Sequence, residues 1–246
     1  MTKHDIDHGR RTFLKISGAA ATLALVNPLS ALAQTPAAGA MKIGVVGSGR
    51  IGGTIGKHWV KAGHQVLFSS RHPESLKSMV EPLGPKASAG TVREAIVFGD
   101  AVLIAVPYAA LPQIGKDFAA ELKGKVVLDA CNAIAARDGD IVKEVNEKGI
   151  GVTSAQYLPG TRLVRAFNSF SWMKFDSESN RAGELIGVPI AVDDPEALRV
   201  GSKLVRDAGF EPVAVPLARA KEFAPGGPLM GQALPVSELK KRLGIA

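Results

Sequence analysis

The sequence predicts an α/β fold, with a doubly wound, mostly parallel sheet and a small C-terminal extension. Short apolar runs alternate with amphipathic helical patterns between residues 41 and 215, which is typical of parallel strands joined by helical crossovers. The run at residues 101–106 is apolar throughout, as expected for a strand buried on both faces. A glycine-rich turn directly after the first run, residues 43–46, is the third observation.

The glycine-rich turn has the spacing G-x-G-x-x-G. The residues that follow it have helical periodicity and lead to a second apolar run at residues 66–68. Strand, glycine loop, helix and strand in this order are the context in which the motif binds a dinucleotide in a Rossmann-type fold. The candidate phosphate-binding residues are Gly47, Ser48, Gly49, Arg50, Ile51 and Gly52.

Each glycine of the loop has a distinct physical role. Gly47 permits the tight turn out of the strand, Gly49 leaves room for a pyrophosphate, and Gly52 lets the helix pack close to the sheet. Backbone amides at the start of the helix would face the phosphates at the positive end of the helix dipole. The amides expected to do so are those of Ser48, Arg50 and Ile51.

The residues after the second strand distinguish NADP from NAD. An NAD site has an acidic residue there that accepts hydrogen bonds from the ribose hydroxyls. This chain has Ser69, Ser70, Arg71 and His72 instead, and the first acid is Glu74. Hydroxyl groups and a planar guanidinium suit a 2′-phosphate, which a carboxylate would repel. The sequence therefore favours NADP.

The next elements continue the alternation of helices and strands. We predict helices at residues 73–83, 91–98 and 110–122, and strands at 86–90, 101–106 and 126–129. Thr91 and Glu94 have the spacing of a capping box. Pro107 ends its strand because its ring blocks a regular ladder. Ligands of such sheets lie at the carboxyl ends of the strands, so the glycine loop, Val106, Pro107 and Asn132 should converge there.

The second half of the chain has weaker patterns. We predict helices at residues 141–148, 195–208 and 237–243, and strands at 163–167, 188–192 and 211–215. The Pro-Gly-Gly-Pro stretch at residues 225–228 interrupts any long helix near the C-terminus. No internal repeat is visible.

The first 40 residues have the organisation of an export signal. The stretch Gly9-Arg10-Arg11-Thr12-Phe13-Leu14-Lys15 resembles a twin-arginine motif, and an uncharged segment at residues 16–33 ends in Ala-Leu-Ala. We interpret residues 1–33 as a cleavable signal peptide, 34–40 as a spacer and 41–246 as one domain. Asn27-Pro28 interrupts the apolar segment, so we expect no permanent membrane span.

The composition excludes several classes of site. The formal net charge of +7 is scattered and is not interleaved with aromatic residues, so it favours anionic ligands rather than nucleic acid. Cys131 is the only cysteine, which excludes an intramolecular disulfide. The histidines after residue 40 lack a partner at metal-ligand spacing, and we expect no metal.

Four segments together resemble a known family. They read MKIGVVGSGRIGGTIGKHWVKAGHQVLFSSR, DAVLIAVPYAAL, GKVVLDACNAI and LVRAFNSFSW. This pattern resembles the NADP-dependent oxidoreductases related to coenzyme F-420:NADP oxidoreductase, a deazaflavin reductase. It is also similar to the NADP-binding domain of the six-transmembrane metalloreductases.

The resemblance implies roles for individual positions. It matches residues 47–52 to the phosphate loop, and Ser70 and Arg71 to the 2′-phosphate site. It places Val106 and Pro107 against the cofactor and Asn132 near the nicotinamide. The positions that it places beside the electron-acceptor pocket include Phe167, Asn168 and Ser169.

The chain also departs from the deazaflavin enzymes. Asn168 aligns with a histidine of their deazaflavin site, and an amide does not titrate near neutrality as a histidine does. The segment AFNSFSW is more similar to the metalloreductase domain. The break at residues 225–228 departs from the family's helical ending. The acceptor is therefore open between a deazaflavin, a flavin and another compound.

The expected reaction is hydride transfer between NADP(H) and a flavin-like ring. The protein's part is to hold two rings face to face and to exclude water, so we expect no catalytic acid or base. Phe167, Phe170 and Trp172 are candidates for an aromatic wall beside the acceptor, and core packing explains them equally well.

Two other function classes stay open. One is an imine- or hydroxyacid-type NADP dehydrogenase, against which the short tail after Val215 counts, because those enzymes append a long helical domain. The other is a non-enzymatic NADP-binding redox-partner module. The expected partners are a small-molecule redox acceptor, the twin-arginine export machinery and, as an alternative to a monomer, a second copy of the chain. The expected location is the periplasm.

Overall fold

An eight-stranded sheet extends through residues 39–245, the part of the chain that the computed structural model describes. The predicted signal peptide and most of the predicted spacer lie outside the described residues. The strands, in the spatial order β3-β2-β1-β4-β5-β6-β7-β8, are β1 (Lys42–Val46), β2 (Gln65–Ser69), β3 (Ala87–Gly90), β4 (Ala101–Ile104), β5 (Val126–Asp129), β6 (Arg162–Arg165), β7 (Gly187–Val192) and β8 (Glu211–Val215).

Helices connect the strands and continue beyond the last one. They are α1 (Arg50–Lys61), α2 (Lys77–Val80), α3 (Val92–Phe98), α4 (Leu111–Asp117), α5 (Ala119–Leu122), α6 (Ala135–Asp138), α7 (Ile141–Lys148), α8 (Ile150–Tyr157), α9 (Trp172–Ser177), α10 (Pro195–Asp207) and α11 (Val236–Leu243). Short 3₁₀ segments occupy Pro73–Leu76, Glu81–Leu83, Tyr108–Ala110 and Leu217–Phe223. No helix of residues 39–245 is long and apolar enough to cross a bilayer.

The two faces of the sheet carry separate hydrophobic cores. Along β4, Leu103 packs into one core, and its neighbours Val102 and Ile104 pack into the other. Successive side chains of a strand point to opposite faces, so both faces of this strand are buried. Helices α1, α9 and α10 cover the first face, and α3, α4, α8 and α11 cover the second. The prediction of a doubly wound, mostly parallel sheet is confirmed.

The first six strands, β3-β2-β1-β4-β5-β6, pair in parallel, and β7 pairs antiparallel with β6. Strand β8 pairs in parallel with β7. The segment after β8 packs on the second face, where Phe223 and Leu239 are buried. The C-terminal extension therefore covers one face of the added strand pair.

Two predicted helices are broken in the structure. The segment at 73–83 is a 3₁₀ turn, the short helix α2 and another 3₁₀ turn, because Pro82 lacks the N–H that a continuous helix needs. The helix predicted at 110–122 is interrupted at Phe118, whose φ of -122° and ψ of 23° lie outside the helical region. The predicted strands at 101–106 and 163–167 end earlier, at Ile104 and Arg165.

Candidate cofactor-binding site

A cleft of about 710 Å³ lies at the carboxyl edge of the sheet. The chain reverses its strand order between β1 and β4, and in open α/β sheets this switch point is where ligands bind. The residues that line the cleft come mostly from the loops after β1, β2 and β4 and from α4. The lining residues are Val46, Gly47, Ser48, Gly49, Ser69, Ser70, Arg71, Leu76, Val92, Ala105, Val106, Pro107, Ala110, Gln113, Ile114, Asp117 and Phe118.

The three motif glycines have different surroundings in the structure. Gly47 has a φ of +91°, and a Cβ added there would lie 2.5 Å from the carbonyl oxygen of Ala105. A Cβ on Gly52 would lie 2.1 Å from the carbonyl oxygen of Gly47. A Cβ on Gly49 would meet no atom within 4 Å. Gly47 and Gly52 are therefore needed by the fold, whereas the space beside Gly49 is open and adjoins the cleft.

The amides at the start of α1 fit a phosphate, with one exception. The amide of Ser48 donates to the carbonyl oxygen of Ser69 at 3.2 Å, so the prediction that it faces the phosphates is wrong. The next amides, those of Arg50 and Ile51, occupy the first turn of α1, where Gly49 offers no capping side chain. The hydroxyl of Ser48 is buried without a hydrogen-bond partner among the described residues. A phosphate oxygen is the kind of acceptor that would satisfy the amides of Arg50 and Ile51, whereas the buried Ser48 hydroxyl has almost no exposed surface to offer a ligand.

The segment after β2 divides into a structural residue and exposed ones. Ser69 is fully buried and donates its hydroxyl hydrogen to the carbonyl oxygen of Val45 at 2.9 Å, so its hydroxyl is not free to bind a 2′-phosphate. The hydroxyl of Ser70 accepts from the amide of His72 at 3.1 Å and keeps its own hydrogen to donate. Arg71 and His72 are exposed. Ser70 and Arg71 thus remain suited to a 2′-phosphate.

The sequence did not reveal the apolar end of the cleft. Leu76, Val92, Ile114 and Phe118 line it beside Ser70 and Arg71, and such side chains suit the flat adenine ring of a nucleotide. They come from a 3₁₀ turn, α3, α4 and the break after α4, so no local motif contains them.

The opposite end of the edge contains the predicted nicotinamide position. Asn132 is half-buried, and its side-chain amide donates to the carbonyl oxygen of Asn168 at 2.7 Å. The side-chain amide of Asn168 donates to Asn132 Oδ1 at 3.2 Å and to the carbonyl oxygen of Phe223 at 3.4 Å. These bonds join the loops after β5 and β6 to the C-terminal extension. Neither residue lines the 710 Å³ cleft.

A buried ion pair lies beneath the loop that carries Asn132. Asp129 and Arg165, neighbours on β5 and β6, are both fully buried and form a salt bridge. Arg165 also donates to the carbonyl oxygen of Cys131 at 2.7 Å and to Ser154 Oγ at 2.9 Å. Asp129 accepts from the amide of Cys131 at 2.8 Å. The pair therefore fixes the backbone directly before Asn132.

A second carboxylate joins two loops of the site. The side chain of Asp138 is fully buried and accepts from the amide of Ala109 at 3.2 Å and from the amide of Ile134 at 2.8 Å. Arg137 donates to it at 2.9 Å and to the carbonyl oxygen of Asn132 at 2.6 Å. Burial alone would raise the pKa of Asp138, but these hydrogen bonds outweigh it and lower the pKa. The anionic carboxylate thus holds the loop after β4 against the loop after β5.

The predicted acceptor-pocket residues are buried. Phe167 is fully buried, and its ring packs edge-on against Trp59 and Phe175, with centroids 5.8 and 5.6 Å away. Phe170 stacks on Phe175 at 4.0 Å. Of the two interpretations that the sequence left open for Phe167 and Phe170, the structure favours core packing. Trp172 is the half-buried member of the group, with the guanidinium of Arg50 6.0 Å from its ring.

Asn168 and Ser169 are buried as well. Among the described residues, Asn168 Oδ1 and Ser169 Oγ have no hydrogen-bond partner. Asn168 contacts Asn132, and neither Asn168 nor Ser169 offers exposed surface.

The other titratable side chains near the edge are shielded. Burial raises the pKa of the Cys131 thiol well above its usual range, so the thiol stays protonated and unreactive. Burial likewise raises the pKa of Tyr108, whose hydroxyl lies 3.0 Å from Ser154 Oγ. The Tyr108 hydroxyl belongs to the buried network around Arg165 through Ser154, whereas the Cys131 thiol donates to the carbonyl oxygen of Ile104 at 3.4 Å. Within residues 39–245, no three histidine, cysteine or acidic side chains are grouped as a metal site.

Residues 42–133 match the family described as NADP oxidoreductase, coenzyme F-420-dependent. This segment is similar to NADP oxidoreductases. It contains the glycine loop, Ser70, Arg71, Val106, Pro107 and Asn132, and the match supports an NADP-dependent oxidoreductase. A sequence search of curated proteins gave no match.

Solved structures share the fold. A hypothetical protein from Sinorhizobium meliloti is 24% identical with a TM-score of 0.69, over 80% of this chain and 95% of that chain. A candidate F-420-dependent NADP reductase from Arthrobacter sp. FB24 is 21% identical with a TM-score of 0.65, over 84% of this chain and 96% of that chain. An imine reductase from Myxococcus stipitatus in complex with NADP⁺ is 17% identical with a TM-score of 0.52, over 82% of this chain and 59% of that chain.

Proposed function

We propose that this protein is an NADP(H)-dependent oxidoreductase that transfers hydride between the nicotinamide and a flavin- or deazaflavin-like acceptor. The observation that carries the proposal is the match of residues 42–133 to the NADP oxidoreductases. Within that segment, the glycine loop and the Ser70-Arg71 pair line one cleft at the switch point of the sheet. The similarity to a candidate F-420-dependent NADP reductase supports the type of acceptor.

The residues around the cleft support NADP in preference to NAD. Ser70 keeps a hydroxyl donor, and Arg71 presents an exposed guanidinium where NAD-binding domains have an acid. Replacing Arg71 with Glu should therefore abolish the preference for NADP over NAD in a binding titration, because the carboxylate repels the 2′-phosphate. If Arg71→Glu retains the preference, the proposed site for the 2′-phosphate is wrong.

The chemistry needs few reacting side chains. When bound, NADPH supplies the hydride, and a flavin-like acceptor supplies the ring that takes it. The chain holds the diphosphate at α1, positions the loop that carries Asn132, and excludes water at that end. Asn132 and Asn168 are amides that donate hydrogen bonds and do not titrate in the physiological range. We therefore assign no catalytic acid or base.

Steady-state oxidation of NADPH with flavin, deazaflavin and ferric acceptors tests the proposal. We expect turnover with at least one flavin-like compound and a lower kcat/KM with NADH. Turnover with ferric compounds alone would favour a metalloreductase-type reaction. Tight NADP binding without turnover of any acceptor would favour the non-enzymatic redox-partner module.

A second candidate is an NADP-dependent reductase of the imine or hydroxyacid type. The similarity to an imine reductase in complex with NADP⁺ favours it, although this chain spans only 59% of that enzyme. After β8, the described residues 216–245 form a 3₁₀ segment and α11, whereas a long helical domain is typical of that group. NADPH-dependent reduction of cyclic imines or of 2-oxo acids, without activity on flavins, would select this candidate.

We also propose that the protein is exported to the periplasm by the twin-arginine machinery and binds NADP before export. The arginine pair, the uncharged segment and the Ala-Leu-Ala triplet of residues 1–33 support this. Protein isolated from its native compartment should then begin at Gln34 and contain NADP. Replacing Arg10 and Arg11 with Lys should retain the protein in the cytoplasm, and periplasmic accumulation of that variant would contradict the proposal.

A further inference from the structure

A second hollow adjoins the cofactor cleft and contains another arginine. It has a volume of about 490 Å³ and shares five lining residues with the cleft, including Ser70, Arg71 and Phe118. Two residues line the hollow but not the cleft, Thr91 and Arg93, and Arg93 lies on the first turn of α3. Arg71 and Arg93 therefore face one space, although they are separated along the chain.

Two neighbours hold Arg93 in place. Its guanidinium lies 5.1 Å from the centroid of the Phe118 ring, which also lines the cleft. It forms an ion pair with Glu121 of α5, and the side chains of Arg93 and Glu121 are 57% and 20% exposed. An ion pair this exposed is weak and is easily exchanged for a stronger one.

We propose that Arg93 is a specificity-determining residue that binds the 2′-phosphate of NADP together with Arg71. This inference rests on the proposed function, because it requires that the cleft binds NADP. A phosphate monoester carries more than one negative charge at neutral pH and has three acceptor oxygens, which two guanidinium groups satisfy better than one. On binding, Arg93 exchanges Glu121 for the phosphate while its plane stays over Phe118.

Of the acidic side chains near Arg93, Glu121 sets the selectivity. Asp117 also lines the hollow, and its carboxylate accepts a hydrogen bond from the side-chain amide of Gln113 at 2.6 Å. Glu121 competes with the ligand for Arg93. A nucleotide without a 2′-phosphate has no group that replaces Glu121 as the partner of Arg93. Arg93 therefore stays in its ion pair and contributes nothing to the affinity for that nucleotide. The exchange therefore strengthens discrimination against NAD.

The test is binding of adenosine 2′,5′-bisphosphate and of 5′-AMP, measured by calorimetry with the full-length protein. These probes contain the adenine end of the cofactor without the nicotinamide, so catalysis does not affect the result. For Arg93→Gln, we expect affinity for the bisphosphate to fall about tenfold, which is the effect of losing one charge-assisted hydrogen-bonding partner. Affinity for 5′-AMP should stay unchanged.

Glu121→Gln provides a test of opposite sign. Removing the competing carboxylate should increase affinity for the bisphosphate about threefold, because an exposed ion pair is no longer broken on binding. The Arg93→Gln/Glu121→Gln double variant should behave like Arg93→Gln alone. Arg199→Gln is the matched control, because Arg199 is also an exposed helical arginine paired with a glutamate but lies far along the chain on α10.

Three results would overturn the proposal. They are an equal loss of affinity for both probes in Arg93→Gln, unchanged affinity for the bisphosphate in that variant, or weaker bisphosphate binding in Glu121→Gln. The first would show that Arg93 only supports the adenine pocket through Phe118. Failure of the wild-type protein to prefer the bisphosphate over 5′-AMP would instead contradict the proposed use of NADP. Thermal unfolding of each variant identifies any loss of fold.

Discussion

The two ends of the carboxyl edge are built on different principles. At the β1–β2–β3 end, the groups suited to a ligand are accessible: Gly49, Arg50 and Arg71 are exposed around a cleft of about 710 Å³. At the β5–β6 end, Asp129 and Arg165 are fully buried and are bonded to each other and to the loop above them. The first end presents groups to a ligand, and the second satisfies most of its polar groups internally.

This difference corresponds to the different positional accuracy that phosphate binding and hydride transfer require. A phosphate is recognised by any correctly spaced set of amides and cations, so the first end needs only a fixed loop and free donors. Hydride transfer requires two rings at a defined separation and angle. At the second end, polar side chains therefore hold the backbone of the loop that carries Asn132. Substitutions at the two ends should have separable effects.

Breaking the buried ion pair should have the largest effect. Arg165→Met leaves the carboxylate of Asp129 buried without a countercharge, and we expect the free energy of unfolding to fall by about 3–5 kcal/mol. Urea-induced unfolding measures it. Arg199→Met, which breaks an exposed pair with Glu196, should cost less than about 1 kcal/mol.

The double variant Asp129→Asn/Arg165→Met sharpens this experiment. It removes both charges, so part of the lost stability should return. A loss of less than about 1 kcal/mol in Arg165→Met alone would contradict the view that this pair holds the β5–β6 end.

Alanine substitutions in the glycine loop should separate binding from folding. Gly49→Ala adds a methyl group in open space, so stability should be retained while the affinity for NADP falls about 10- to 100-fold, or about 1.4–2.8 kcal/mol. Gly52→Ala places its Cβ against the carbonyl oxygen of Gly47 and should destabilise the fold. Calorimetric binding and thermal unfolding of both variants measure the two effects.

Gly53→Ala is the matched control in the same helix. Its added Cβ would make only ordinary contacts, at 3.5 Å from Met79 and from Ser48, so both affinity and stability should stay close to wild type. Unchanged NADP binding by Gly49→Ala would show that the diphosphate lies elsewhere.

Neutralising Asp138 should affect the second end of the edge and not the first. Asp138→Asn replaces one acceptor oxygen by a donor that faces backbone amides, which costs about 1–3 kcal/mol of stability. The loop with Asn132 then loses its fixed position, so kcat with the preferred acceptor should fall while affinity for adenosine 2′,5′-bisphosphate is unchanged. Asp140→Asn is the control because Asp140 is exposed. Equal losses of kcat and of bisphosphate affinity would contradict the separation of the two ends.

The smallest expected effect is a dependence of stability on pH. Burial lowers the pKa of His58 and of His64, although Phe175 and Asp207 respectively act in the opposite direction. Below about pH 6.5 the unfolded chain therefore binds more protons than the folded chain does. The free energy of unfolding falls as the pH decreases. We expect a loss of about 1–2 kcal/mol between about pH 7 and about pH 5.5, measured by urea unfolding.

Substituting the histidines locates this effect. His64→Gln should make stability less dependent on pH, because it removes one of the two histidines whose pKa is lowered by burial. A stability that rises as the pH falls would contradict the assignment.

The sequence predicted the sheet well because its strands are buried on both faces. Such strands are continuous apolar runs bounded by turns, and the described structure contains a strand at every predicted position. The direction of β7 was not predictable, since an apolar run such as residues 187–192 is the same in both directions. Whether β6 and β7 pair in parallel depends on the connection through α9, which has no sequence signature of its own.

The site was predictable only where it is local in sequence. The glycine loop and Arg71 belong to one strand–helix–strand unit, so spacing alone predicts that they lie together, and in the structure they line one cleft. Arg93 and Phe118 come from separate elements and contact each other only in the folded chain, as do Asp138 and the amide of Ala109. The amide of Ser48 was expected to be free, but the parallel pairing of Val46 with Ser69 continues one step beyond the strands and uses it.

That extra hydrogen bond, from the Ser48 amide to the Ser69 carbonyl oxygen at 3.2 Å, has a geometric consequence. It fastens the turn that we propose to bind the diphosphate to the turn that we propose to bind the 2′-phosphate, so we expect the distance between these two turns to be set before a nucleotide binds. An isomer with its third phosphate on the 3′-oxygen carries the same charge, and we expect it to bind more weakly because the phosphate is displaced from Ser70 and Arg71. Rejection of that isomer would measure the rigidity of the link.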